Sequence, residues 1–110
     1  MNVIEKNCGQ KIPYDYNSKT ITFDDDLSIN LLKRERDYDE HIDICYDEDR
    51  NLVIGAAAGR SYVAEIDIPA RRYYSVEGED GEELRPEPFD IELVTLTLWA
   101  VDNYVEVVYE

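Results

Sequence analysis

Asp37, Asp39, His41, Asp43, Cys45 and Asp47 recur at every second position. Carboxylate, imidazole and thiolate are all ligands for divalent metals. On a β-strand the six would share one face, but alternate residues stand ~6.8 Å apart along a strand. Few of them can reach one ion, so the stretch is expected to be a solvated polar face, with no metal and no cofactor. Cys45 and His41 would lie ~13 Å apart, too far for a nucleophile–base hydrogen bond. Asp47-x-Asp49-x-Asn51 opens like an EF-hand loop, yet Leu52 stands where Gly is needed and Ala58 where Glu is needed. The run GAAAGR at 55–60 lacks the Lys-Ser/Thr of a phosphate-binding P-loop. With one histidine and no nucleophile motif, no catalytic residue is assigned, and the chain is not expected to be an enzyme.

The elements that would carry these residues read as β-structure. Between 41 and 46, Ile42, Ile44 and Tyr46 alternate with His41, Asp43 and Cys45, the period of a half-buried strand. A five-residue loop at 47–51 returns the chain, pairing Tyr46 with Leu52, Ile44 with Ile54 and Ile42 with Ala56. A turn at Gly59-Arg60 leads to a third strand with Tyr62, Ala64, Ile66 and Ile68 on one face. Residues 20–23 form a short strand ended by Asp24-Asp25-Asp26. The segment 27–36 fits a strand through Leu27, Ile29 and Leu31, or a short helix capped by Asp25 or Asp26. Residues 70–77 suggest another strand. Residues 78–88, rich in Gly, Pro and acid, suggest a long solvated loop. Residues 93–101 and 104–110 suggest a terminal hairpin turning at Asp102-Asn103. The expectation is a mainly β protein, an antiparallel meander forming a small barrel or sandwich, over a single domain at 1–110.

Charge sets the bounds on function. Twenty-six Asp and Glu against 11 Lys and Arg give a formal net charge of −15. A magnitude of roughly 2–8 is enough to keep a small domain soluble. Nine Tyr, two Phe and one Trp, with clear alternation, argue for a folded chain rather than a disordered acidic one. No run approaches the ~18 apolar residues of a membrane span, and two cysteines are too few for a disulfide framework. A soluble, cytoplasmic protein is expected. The basic clusters Arg71-Arg72 and Lys33-Arg34-Arg36 are expected to pair with neighbouring carboxylates instead of binding nucleic acid directly. Eleven carboxylates lie in residues 24–50 and eight more in 77–92. In a compact domain with a radius of gyration of roughly 13 Å, and so a diameter of about 34 Å, the net charge of −15 compares in charge per length with duplex DNA, which carries one charge per ~1.7 Å.

Four stretches carry a resemblance: DDLSINLLKRERDY (25–38), HIDIC (41–45), NLVIGAAAGRSYVAEIDIPARRY (51–73) and FDIELVTLTLWAVDN (89–103). Together they resemble small acidic proteins encoded on conjugative and other mobile elements of Gram-positive gut bacteria. The resemblance carries no site residues over; it implies a setting. Mobile elements of this kind encode small acidic inhibitors of host defence, anti-CRISPR and anti-restriction proteins among them, many of which mimic DNA.

The expected function is a non-enzymatic acidic binding protein whose partner is a host protein with a basic nucleic-acid-binding groove. The residues expected to meet that partner are Asp24, Asp25, Asp26, Asp37, Asp39, Asp43, Asp47, Glu48 and Asp49, with Glu79, Asp80, Glu82 and Glu83 from the acidic loop. The alternative is an accessory protein of a mobile element that binds its partner through Tyr73, Tyr74, Trp99 and Tyr104, since aromatics are enriched at interface hot spots.

Overall fold

The computed structural model describes residues 1–56 and 61–101, so the Gly59-Arg60 turn and the 104–110 strand lie outside the described residues. Ten strands follow in chain order: β1 (Asn2–Glu5), β2 (Tyr14–Tyr16), β3 (Thr20–Phe23), β4 (Leu27–Asn30), β5 (Glu40–Tyr46), β6 (Leu52–Ile54), β7 (Ser61–Ile68), β8 (Tyr73–Gly78), β9 (Gly81–Pro86) and β10 (Thr95–Leu98). They form a five-stranded sheet ordered β1-β10-β7-β5-β6, a three-stranded sheet β2-β3-β4 and a separate hairpin β8-β9. The protein is mainly β with antiparallel pairing throughout, except that β1 lies parallel to β10.

The two larger sheets share one core. Ile21 and Phe23 of β3, Ile29 of β4 and Leu31 meet Ile42 and Ile44 of β5, Ala64, Ile66 and Ile68 of β7, and Leu96 and Leu98 of β10. Each set comes from alternate positions of its strand, so each sheet turns one apolar face inward in a sandwich-like arrangement. Among the described residues no sheet closes into a barrel.

β5 and β6 pair in the expected register, Tyr46 opposite Leu52 and Ile44 opposite Ile54, although no pairing extends to Ala56. The strand order departs from a simple meander. β7 joins the other side of β5, with Ile42 opposite Ile66 and Ile44 opposite Ala64. β6 offers only three residues for pairing, whereas eight-residue β7 matches the apolar face of β5 along its length. A β-bulge then shifts the register between Ile44 and Cys45, so that Cys45 faces Tyr62. Val63 is the extra residue, fully buried, and Tyr62 is displaced from the core face expected for it onto the outer face.

The ambiguous segment 27–36 is a strand followed by a single 3-10 turn, Leu32–Arg34. Asp24 and Asp25 do not cap a helix. They take left-handed φ of 54° and 51° in the turn between β3 and β4, closed by Asp26 N–H donating to the Phe23 carbonyl at 2.9 Å. The expected loop at 78–88 is largely strand β9, which pairs with β8 through a tight Glu79-Asp80 turn. The strand expected over 93–101 is shorter, because a 3-10 turn at Ile91–Leu93 precedes β10.

Candidate functional site

Outside the core, the sheet presents the face that β5 and β7 do not bury. The β5–β7 register places His41 directly opposite Asp67, and Asp43 directly opposite Glu65. The four side chains converge. The His41 ring contacts Asp67 Oδ1 through Nδ1 at 2.6 Å and Asp43 Oδ1 through Nε2 at 2.8 Å. Glu65 Oε1 lies 3.5 Å from the same Nε2. The second oxygen of Glu65 accepts the indole N–H of Trp99 at 2.6 Å. Trp99 in turn stacks on Tyr62, with ring centroids 5.4 Å apart, and carries Lys6 over its ring.

Electrostatics follow from this geometry. The Asp67 hydrogen bond raises the His41 pKa above the ordinary imidazole range; partial burial opposes this and Asp43 reinforces it. Like charges directly opposite on neighbouring strands destabilise a sheet, so an imidazolium beside Asp43 and Glu65 relieves their repulsion. Cys45 is buried on the same side of β5, outside the core cluster. Burial pushes its thiol pKa up, and the charges of Asp43 and Glu65 push it further. A thiol held protonated is a poor nucleophile and a poor metal ligand.

The solvated polar face expected of β5 is therefore built more tightly than its own spacing allows. Distances along one strand do keep its ligands apart, but β7 supplies Glu65 and Asp67 across the pairing. His41 Nε2, Asp43 and Glu65 bring one ligand atom each to within 4.8 Å of one another, a set able to hold a metal ion.

The carboxylates expected to meet a partner come from several elements of the fold. Asp37 and Asp39 precede β5, while Asp47, Glu48 and Asp49 follow it, so the two groups occupy opposite ends of that strand. Several are bound to their own fold. Asp37 accepts from Arg71 at 3.1 Å and from the Tyr73 hydroxyl. Asp39 accepts the Ala70 N–H at 2.9 Å. Asp43 is tied to His41, and Asp47 closes its loop by accepting the N–H groups of Asp49 and Asn51. Glu83 pairs with Arg85 at 3.2 Å. Among the described residues the side chains of Asp24, Asp25, Asp26, Asp49, Glu79, Asp80 and Glu82 make no such bond and point their charge at solvent.

Of the basic clusters, Arg71 pairs with Asp37 and Glu35, and Arg72 pairs with Glu87 at 2.9 Å, as expected. Lys33, Arg34 and Arg36 differ. Among the described residues they make no ion pair; Arg36 donates to the carbonyls of Lys33 and Glu35. Lys33 and Arg34 of the 3-10 turn and Arg36 beyond it line an open depression with Ser28, Asn30 and Ile54, and among the described residues that line it there is no carboxylate. Of the candidate aromatics, Tyr73 and Tyr74 are exposed on β8, Trp99 is committed to Tyr62 and Glu65, and Tyr104 lies outside the described residues.

No protein-family model, curated protein or solved structure matches this chain. Among the described residues, no helix is long and apolar enough to cross a membrane.

Proposed function

We propose that this chain is a non-enzymatic binding protein whose acidic projections enter the basic nucleic-acid groove of a cytoplasmic host protein, a CRISPR or restriction nuclease in the setting that the resemblance to mobile-element proteins implies. The observation that supports it is the β8–β9 hairpin. Among the described residues its strands pair in a sheet only with each other, with Tyr73 tied to Asp37 at the base, and residues 73–86 carry five carboxylates against Arg85 alone. Nearly every position is exposed. Two-stranded hairpins are marginal in water, and Glu77 sits directly opposite Glu82, a repulsive pair. A groove lined with Lys and Arg would relieve that repulsion and order the arm, as it does for the phosphates of DNA. The β3–β4 turn, with Asp24, Asp25 and Asp26, adds a second projecting acidic group.

The same hairpin carries the alternative. Tyr73, Tyr74 and Leu84 are exposed along it, so an apolar contact would use the same arm. Charge and apolar surface separate by experiment. The arm-neutral variant is Glu77→Gln, Glu79→Gln, Asp80→Asn, Glu82→Gln and Glu83→Gln. Wild-type and arm-neutral protein are immobilised, incubated with host extract at 50 and 200 mM salt, and the retained proteins are identified by mass spectrometry. The acidic reading expects nucleic-acid-binding proteins that are lost at the higher salt, lost with the arm-neutral variant and displaced by duplex DNA. A partner that survives salt and charge removal but not Tyr74→Ala and Leu84→Ala establishes the apolar reading instead.

A further inference from the structure

We propose that His41, Asp43 and Glu65 form a binding site for a divalent transition-metal ion of the zinc class, with Asp67 and Trp99 as the groups that orient its ligands. The inference goes beyond the acidic-arm reading and does not depend on it. Three observations carry it.

The first is convergence. One imidazole nitrogen and two carboxylate oxygens from two paired strands already lie within 4.8 Å of one another. Zinc ligands at about 2.0–2.2 Å from the ion stand roughly 3.4 Å apart in a tetrahedral site, so small changes in the partly buried Asp43 and Glu65 side chains close the set around one ion. An imidazole beside two carboxylates selects zinc-class ions over Mg²⁺ and Ca²⁺, which take oxygen ligands.

The second is the way each ligand is held from behind. Asp67 accepts from Nδ1 of His41, which fixes the ring with Nε2 directed at Asp43 and Glu65. Trp99, from outside the acidic cluster, donates to the Glu65 oxygen that faces away from the imidazole. A carboxylate on the remote histidine nitrogen and a donor on the remote carboxylate oxygen are the supports that metal ligands need.

The third is residual charge. With an imidazolium at His41, the group with Asp43, Glu65 and Asp67 still carries −2 in formal charge. A divalent ion in place of the proton lowers that to −1, and separates the facing Asp43 and Glu65 by a stronger positive centre. Three ligands leave a fourth position open to water or to a partner's side chain.

The test uses the full chain stripped with EDTA. Zn²⁺ is titrated calorimetrically and Co²⁺ by visible absorption, in the presence of a hundredfold excess of Mg²⁺. The expected result is one saturable equivalent per chain and Co²⁺ d–d bands without a thiolate charge-transfer band. His41→Gln, Asp43→Asn and Glu65→Gln are each expected to weaken Zn²⁺ binding by at least about tenfold, and Trp99→Phe by a similar factor. Glu82→Gln, on the remote hairpin, is expected to leave it unchanged. Uptake that does not saturate, that Mg²⁺ removes, or that is equal in His41→Gln overturns the site and leaves only attraction to an acidic surface. Should the variants lose their circular-dichroism spectrum, the wild type still decides. The ring resonances of its single histidine are expected to shift at one Zn²⁺ equivalent, and unmoved resonances overturn the proposal.

Discussion

A single imidazole between three carboxylates makes the stability of this protein depend on pH in a definite direction. His41 has its pKa raised in the folded chain by Asp67 and Asp43, so the folded state holds its proton more tightly than the unfolded state. That stabilisation is fully present below the unfolded value of about 6.5 and is lost as the pH climbs through the raised folded value. In metal-free buffer, urea unfolding of wild type and His41→Gln from pH 5.5 to 9 is expected to show a stability difference that shrinks with rising pH. The carboxylates Asp43, Glu65 and Asp67 and the Cys45 thiol are common to both proteins, so a flat difference counts against the bracketed imidazolium. One residue along, Ile44 is fully buried opposite Ala64. Ile44→Asp places an unpaired charge in the core and is expected to cost about 4 kcal/mol or more, enough to unfold a small domain. Half of the His41 cluster was legible in the sequence, because period-two alternation puts His41 and Asp43 on one polar face. Glu65 and Asp67 alternate with Ala64 and Ile66 just as plainly. What a single strand cannot reveal is that Ile66 lies across from Ile42, and the cluster exists only through that pairing.

Elements show where local patterning stops being informative. The β5–β6 hairpin was readable because both strands alternate and the loop between them fixes the register. The bulge at Val63 was not, since an inserted residue leaves no mark on composition while turning Tyr62 to the opposite face. β9 was hidden for another reason: Glu82, Glu83 and Arg85 offer no apolar alternation, because this hairpin buries almost nothing. Its available signal was the glycine that follows the Glu79-Asp80 turn, Gly81, at φ +113°. The unfavourable Glu77–Glu82 pairing can be reversed. Glu82→Lys puts opposite charges across the strands and is expected to stabilise the hairpin by roughly 0.2–1 kcal/mol. Because this hairpin forms a sheet of its own, it is expected to open independently of the core, so amide exchange is expected to slow in residues 73–86 and stay unchanged in β5 and β7. Equal slowing in both places would mean that the arm and the body unfold as one unit.

Across the whole molecule, repulsion among excess carboxylates works against the compact state. The chain carries a formal charge of −15, and among the described residues its carboxylates sit on several turns and on the β8–β9 hairpin. Added salt screens such interactions within a Debye length of about 10 Å at 0.1 M. The melting temperature of the metal-free protein is therefore expected to rise between 10 and 150 mM NaCl, and the arm-neutral variant to show a smaller rise. A melting temperature that falls with salt would mean that ion pairs such as Arg71–Asp37 and Arg72–Glu87 outweigh the repulsion. Composition forecast the sign of this charge but not its placement. Within the acid-rich segment 24–50, β5 separates Asp37 and Asp39 from Asp47 and Asp49 by its own length, and Asp39 and Asp47 accept backbone N–H groups.

Trp99 is the chain's only tryptophan, and its indole N–H rests on Glu65. Indole emission responds to the charge and polarity beside the ring, so the protein contains its own optical gauge of the His41 cluster. Proton loss, metal entry or the approach of a partner to that face each changes the field at one fluorophore, and each can be followed on the unlabelled chain.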